Sequence, residues 1–303
     1  LTPWHNDPGS DASGEALYLR DEETGRVWSP TPLPCRGQGS YQTRHGFGYS
    51  VYEHVEHGIA TELWIYVALD AAVKFSHLIV RNTSGRPRRL SATGYVEWVL
   101  GPSRSASAPS VVTDIDRETG AMFARNPWNS IFGSRVAFAD LGGRQKSWTG
   151  DRREFLGRHG TLDSPAALAS GTPLSGRVGA GLDPCCALRT PVDLEPGEAT
   201  EIVFLLGEAA SAADSQSLVA RYRAADLDAV LHEVGAWWDE VLGAVQVKTP
   251  DRSMDIMLNR WMLYQTLACR MWARSAFYQA SGAYGFRDQL QDAMALAVAR
   301  PAM

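Results

Sequence analysis

Two hydrophobic periods divide the chain. Up to about residue 209, short apolar–polar alternations are broken by Gly, Pro, Asn and Asp; from about residue 210, apolar residues recur at three- and four-residue steps. The first texture predicts antiparallel strands. Residues 16–20 and 26–28 flank Asp21-Glu22-Glu23-Thr24-Gly25, a hairpin with Gly25 at a left-handed position. Residues 61–69 are rich in aromatic and β-branched side chains, and residues 49–56 alternate. Residues 74–81 place Phe75, His77 and Ile79 on one face and Ser76, Leu78 and Val80 on the other. Asn82-Thr83-Ser84-Gly85 is turn chemistry, after which residues 89–100 resume a strand; residues 201–206 form another after Glu195-Pro196-Gly197-Glu198. Strands at this spacing predict a sandwich rather than βαβ units. Residues 101–181 are punctuated by glycines, and the pattern there separates neither strands nor helices.

The second texture predicts helices. Asp226 is placed to cap a helix whose apolar face is Leu227, Val230, Leu231, Val234, Trp237, Trp238, Val241 and Leu242. Helical spacing explains both tryptophans as core. Residues 245–249 read as an extended linker. Asp251 caps a second helix through Met254, Met257, Leu258, Trp261, Met262 and Gln265 to about residue 273. A loop over residues 280–285 precedes a last helix over residues 287–299. The expected fold is α+β and multidomain.

Composition narrows the class. The chain has 303 residues, 45% hydrophobic and 21% charged, enough to bury a sizeable core without staples. No window approaches 18 consecutive apolar residues, so no membrane span is expected. The net charge of −5 and the absence of a concentrated basic surface argue against a nucleic-acid partner. Arg86, Arg88, Arg89 and Arg152, Arg153, Arg158 sit among turn residues and read as solvated. Cys35, Cys185, Cys186 and Cys269 fit neither zinc nor disulfide spacing, which implies reduced thiols and a cytoplasmic setting. The first residue is not Met and no signal pattern follows, so the sequence reads as a cut through a longer protein; without secretion, the Asn82-Thr83-Ser84 sequon reads as unused.

The densest polar cluster is Gly285-Phe286-Arg287-Asp288-Gln289-Leu290-Gln291-Asp292. Asp288 and Asp292 share a helical face, Arg287 opens the helix beside them and Gln291 adjoins it. Tyr278, Gln279 and Tyr284 precede it. Carboxylates and guanidinium groups pair with hydroxyls and aromatic rings stack on sugar C–H faces, so these residue types suit a hydroxyl-rich ligand; a capped helix with an internal Asp–Arg pair is the plain alternative. Trp4, His5, Asn6, Asp7, Ser10 and Asp11 form a second polar cluster that could rim a pocket, but composition favours a solvated turn set by Asp7-Pro8-Gly9. His54 and His57 lack a third ligand at metal spacing, and no metal site is expected. His77 reads as a satisfied core histidine. No nucleophile elbow, phosphate loop or dinucleotide fingerprint is present.

Four blocks together carry a family likeness. They are Leu1-Thr2-Pro3-Trp4 with Gly14 to Asp21 and Trp28-Ser29-Pro30-Thr31-Pro32-Leu33-Pro34; Arg81 to Gly85 with Tyr95-Val96-Glu97-Trp98; Arg153-Glu154-Phe155-Leu156-Gly157-Arg158; and, most specific, Tyr278-Gln279-Ala280-Ser281-Gly282-Ala283-Tyr284-Gly285-Phe286-Arg287-Asp288-Gln289-Leu290-Gln291-Asp292. Across essentially its whole length the chain resembles glycoside hydrolase family 94, the cellobiose-phosphorylase family, and most closely the phosphorylase-like C-terminal region of cyclic β-1,2-glucan synthases. The resemblance implies an N-terminal antiparallel β super-sandwich (residues 1–209), a helical linker (210–250) and the first helices of an (α/α)6 catalytic barrel (251–303). It maps donor-sugar contacts onto Arg287 and Asp292, with Asp288 a weaker candidate and Gln291 and Tyr284 beside them. It implies a β-linked glucan or gluco-oligosaccharide as partner, inorganic phosphate as co-substrate with no other cofactor, a homodimer, and a parent tethered to the inner membrane with this region on the cytoplasmic side.

The sequence departs from the family at one point. The family's general acid lies in an Asp-Trp-Asn-Asp-type motif further along the barrel, and no such motif occurs in these 303 residues. An inverting phosphorylase needs that acid to protonate the glycosidic oxygen while phosphate attacks. The expectation is therefore an enzyme of glycosyl transfer or phosphorolysis in the intact parent and no catalytic residue here. A free-standing β-gluco-oligosaccharide phosphorylase and a non-catalytic carbohydrate-binding sandwich are the alternatives.

Overall fold

The computed structural model describes residues 1–3, 13–272 and 286–302, with only the backbone of Phe286, Asp288 and Gln289. The described residues form two compact units, one up to Leu227 and one from Asp228.

The first unit is two antiparallel sheets. Its strands are β1 (Glu15–Asp21), β2 (Val27–Trp28), β3 (Tyr41–His45), β4 (Tyr49–Glu56), β5 (Ile59–Val67), β6 (Val73–Asn82), β7 (Arg88–Glu97), β8 (Val112–Ile115), β9 (Met122–Arg125), β10 (Val136–Asp140), β11 (Ser147–Asp151), β12 (Pro184–Leu194) and β13 (Ala199–Ala209). One sheet runs β11-β12-β7-β1-β2 and the other β3-β4-β5-β6-β13-β10-β9-β8. The expected hairpin is β1–β2, with Gly25 at φ 72°. Between the sheets, Leu17, Leu19, Val96 and Leu188 interdigitate with Leu63, Leu78, Ile202 and Phe204. Gly94 lies opposite Phe204, and a Cβ there would overlap the phenyl ring.

The five-stranded sheet is buried on both faces, so its strands lose the alternation that betrays a half-exposed strand. Residues facing away from the main core (Ala16, Tyr18, Tyr95, Ala187) are covered by loops and the last two of three short helices in the 101–181 stretch. The helices are α1 (Arg104–Ser107), α2 (Arg152–Leu156) and α3 (Ala166–Ala169). Phe155 stacks on Tyr95 at 4.9 Å, and Tyr18 donates to Leu162 O at 2.8 Å. The glycine-punctuated region therefore supplies β8–β11 and the cover of this sheet.

Two arginines expected to be solvated are not. Arg88 is 3% exposed and pairs with the equally buried Asp21 at 2.6 Å, also donating to His57 O at 2.7 Å. Arg152 is half-buried against Glu97 at 2.9 Å. The turn composition around them concealed strand ends that fold inward. Burial pushes the Asp21 carboxyl up. Hydrogen bonds from Arg88 and from the Glu23 and Thr24 amides, with the Arg88 charge, outweigh it and hold it below the ordinary carboxylate value. His77 is 7% exposed and reaches Glu201 at 3.0 Å.

Asn82 is fully buried. Its amide donates to Arg86 O at 2.8 Å and to Leu194 O and Glu195 O at 3.1 Å, tying the end of β6 to the end of β12 in the other sheet. Its Oδ1 accepts from Ser84 N at 3.0 Å and Ser84 Oγ at 2.6 Å. This nitrogen is inaccessible to glycan transfer. Helix α4 (Ala212–Arg223), started by the Ser211 side chain on Asp214 N, lies on the eight-stranded sheet through Tyr222 against Phe75 and Ser215 Oγ to Val136 O.

The second unit holds most of α5 (Leu227–Leu242), then α6 (Arg252–Ile256), α7 (Met262–Gln265) and α8 (Phe286–Ala299). Val234, Trp238, Val241 and Leu242 of the expected α5 face are buried; Trp237 is half-exposed. Asp251 caps α6 through Ser253 N at 2.8 Å. The expected continuous second helix is interrupted: π-helical turns span Met257–Trp261 and Thr266–Trp272, and Arg260 takes φ 73°. Each π turn rotates the following residues about the axis. Leu263 and Leu267 become the buried positions, whereas Met254, Met257, Trp261 and Met262 are exposed.

Candidate functional site

The local fold that presents the polar cluster begins in the linker. The Asn259 side chain accepts from Val247 N at 2.7 Å and donates to Val247 O at 2.8 Å, pairing with that residue as a neighbouring strand would. Buried Asp255 accepts from Thr249 N at 2.7 Å and Thr249 Oγ1 at 2.9 Å. Both bonds fasten the extended linker to the broken helix that follows. Trp238 meets Tyr264 at 4.9 Å and Trp272 at 5.5 Å, and Trp237 stacks on Trp272 at 5.7 Å. The C-terminal end of α8 is tied back to α5 by Arg300 and Glu240 at 2.6 Å.

On α8, Arg287 and Gln291 lie one turn apart and are exposed; Asp292 is half-buried. Leu296, one turn beyond Asp292, is the buried residue of α8 among the described side chains. Arg270 Nε donates to Asp292 Oδ2 at 2.6 Å. The carboxylate thus has one oxygen engaged by a cation, with a free rim on a helix that also presents a guanidinium and an amide. Each of these groups can hydrogen-bond a hydroxyl, Asp292 by accepting and Arg287 and Gln291 by donating. Asp288 is placed on α8 by its backbone, one turn before Asp292. Tyr284, Tyr278, Gln279 and the Trp4–Asp11 cluster lie outside the described residues.

Sequence reasoning did not identify Arg270. It is 22 positions before Asp292 in an apolar segment, and no spacing rule links a π-helical turn to a later helix. Among the described residues no group of three or more His, Cys, Asp and Glu could hold a metal ion. His54 instead stacks on Tyr41 at 3.8 Å and contacts Ser40 O at 3.0 Å and Glu56 at 3.2 Å. Burial pushes Glu56 up, but the Gly39 and Gln38 amides, His57 and His54 together hold it below the ordinary value. All four cysteines are free, and burial pushes the Cys185 and Cys186 thiols well above their ordinary range. No described helix is long and apolar enough to cross a membrane.

Comparison with known proteins places these units. The family description "Glycosyl hydrolase 94, supersandwich domain" matches residues 1–225, and "Glycosyl hydrolase 94 superfamily, catalytic domain" matches residues 237–303. The chain is 40% identical to the cyclic beta-(1,2)-glucan synthase NdvB of Rhizobium meliloti over 304 aligned residues, all of this chain and 11% of that protein. It is 30% identical to the N,N'-diacetylchitobiose phosphorylase of Vibrio furnissii, over 97% of this chain and 38% of that protein. Among solved structures, a bacterial glucoamylase complexed with acarbose superimposes with a TM-score of 0.57 at 5% identity, over 84% of this chain and 34% of that one; this is a likeness of fold. The chain spans about a tenth and about two fifths of the two curated relatives' lengths.

Proposed function

The chain belongs to glycoside hydrolase family 94, and from that premise we propose that it forms the sandwich and the opening helices of a phosphorylase-like module acting on linear β-1,2-glucan within a cyclic β-1,2-glucan synthase. The observation that carries the reading is the 40% identity to NdvB along the whole chain. It exceeds the identity to the chitobiose phosphorylase, which favours the synthase over a free-standing oligosaccharide phosphorylase. Its free thiols suit the cytoplasmic side of the membrane. Homodimerisation belongs to the same proposal.

In this reading Arg287 and Asp292 grip hydroxyls of the donor sugar and Arg270 fixes the Asp292 carboxylate, with Gln291, Asp288 and Tyr284 as further candidate sugar contacts. Inorganic phosphate is the co-substrate, and no other cofactor is required. A glycosidic bond breaks when an acid protonates the leaving oxygen while phosphate attacks the anomeric carbon. The cluster on α8 binds and orients; it does not supply that proton. The chain alone therefore releases no sugar phosphate from a β-glucan and phosphate, whereas a polypeptide continuing through the rest of the catalytic domain binds β-1,2-gluco-oligosaccharides through α8. Sugar phosphate formed by the purified chain would overturn the division of labour. Oligosaccharide binding by the longer polypeptide that is indifferent to Arg287→Ala would overturn the site.

A further inference from the structure

A second polar cleft lies in the first unit, apart from the residues assigned above. It has a volume of about 830 Å³ and is walled by α1, α2 and the strap over residues 177–183. That size is typical of sites for small organic molecules, ~300–1,000 Å³, and far exceeds what a single inorganic anion fills. The strap is pinned along its length. Gly150 N donates to Arg177 O at 2.6 Å, Gly179 N donates to Thr113 Oγ1 at 3.1 Å, and Arg152 N donates to Asp183 O at 2.7 Å. The cleft is therefore preformed.

Its charges are arranged unequally. The carboxylates are already engaged. Asp183 takes Arg104, which also meets the buried Glu97 at 3.1 Å. Asp151 accepts from Arg153 N and from Arg177 at 3.0 Å. Glu154 accepts from Thr149 Oγ1 at 2.7 Å, Ser175 N at 2.8 Å and Ser175 Oγ at 2.6 Å. Burial pushes Glu154 up, yet these bonds and the Arg177 charge hold it below the ordinary value, so it stays an acceptor. Arg153, by contrast, lines the cleft exposed and makes no side-chain hydrogen bond or ion pair among the described residues, and Arg177 spends one donor. The three guanidinium groups (Arg104, Arg153, Arg177) and three carboxylates (Asp151, Glu154, Asp183) that line it cancel formally, which gives no net pull on a polyanion. Spare N–H donors over a floor of fixed acceptor oxygens, in a long polar volume, match a neutral ligand dense in hydroxyls.

We propose that this cleft is a carbohydrate subsite on the sandwich that holds a stretch of linear β-glucan through Arg153 and Arg177. The inference rests on the β-glucan reading given above. It assigns the sandwich a binding role of its own, and it gives a use to the exposed Arg153 guanidinium, which has no side-chain partner among the described residues.

The test is calorimetric titration of the chain with linear β-1,2-gluco-oligosaccharides of four to six units, with cello-oligosaccharides and inorganic phosphate as the other probes. Saturable binding of the β-1,2 series is expected. Arg153→Ala and Arg177→Ala should each weaken it about tenfold, the loss expected for a charged hydrogen-bond donor. Arg44→Ala, an exposed arginine on β3 outside the cleft, should leave it unchanged. Both cleft arginines are exposed, so the substitutions spare the fold, which the unfolding temperature will verify. No saturable binding, binding indifferent to both arginine variants, or binding of phosphate alone would each overturn the subsite. Those failures leave the α8 reading standing, because that reading is judged on the longer polypeptide and on Arg287.

Discussion

Replacing Asn82 by Asp changes one side-chain group from an amide to a carboxylate of nearly the same shape. The buried amide donates to three carbonyl oxygens, Arg86 O, Leu194 O and Glu195 O, the last two at the end of β12 in the opposite sheet. Asn82→Asp removes both donated hydrogens and turns a negative oxygen toward three partial negative charges. Each of the two donated hydrogens is worth ~1 kcal/mol, and leaving the carbonyls dry adds ~1–3 kcal/mol. The sum is about 3–5 kcal/mol at neutral pH, in the range of a buried unpaired charge. The sign with pH follows. The substituted carboxyl in the folded state must titrate above the ordinary ~3.9 of an unfolded Asp, because only the protonated form can donate. The penalty relative to the parent chain should therefore shrink as pH falls toward 4 and reach its full size as pH rises past the folded value. Urea unfolding followed through protected amides of β6 and β12 reads the first unit separately from the second. A penalty under ~1 kcal/mol at pH 7 would refute the reasoning, and so would one equal at pH 4.5 and pH 8.

The buried Asp21–Arg88 pair predicts that Arg88→Met costs ~3–5 kcal/mol, because it strands a carboxylate, while Asp21→Leu combined with Arg88→Met recovers most of the loss; equal stability of the single and double variants would contradict this. Because Asp21 titrates below its ordinary value when folded, its contribution is complete above the ordinary carboxylate range and fades as acid carries the pH down through the folded value. An acid titration of the parent and double variant should diverge only there. Gly94→Leu forces a side chain into the Phe204 ring across the sandwich and should lower the unfolding temperature sharply, with Phe204→Ala in the same chain restoring part of it; an unaffected transition would show the two sheets are not in that register.

How much of this was readable beforehand depends on the element. The hairpin around Gly25 and the strands β5, β6, β7 and β13 carried alternation or turn residues, and each appears within three residues of its expected bounds. β8–β11 did not, because they are four or five residues long and lie among glycines. β12 was hidden differently: its run Cys185-Cys186-Ala187-Leu188 is buried on both faces, so no period of two survives. The Asp251 cap and the buried face of α5 followed from spacing alone. The interruption at Asn259 and Arg260 did not, since it depends on the linker's Val247 reaching the Asn259 amide. The same limit governs the site. The cluster on α8 was legible as a dense run of polar residues, whereas the Arg270 contact to Asp292 and the cleft around Arg153 exist only once distant segments are brought together.

The most direct test of the central claim is the kcat/KM of the whole enzyme containing this chain on linear β-1,2-gluco-oligosaccharides, measured with Arg287→Ala and Asp292→Asn. Removal of a charged hydrogen-bond partner to a sugar hydroxyl should lower kcat/KM by roughly 10- to 100-fold for each, with the sandwich's unfolding transition unmoved. Unchanged kcat/KM in both variants would contradict the assignment of α8 as the sugar-gripping helix.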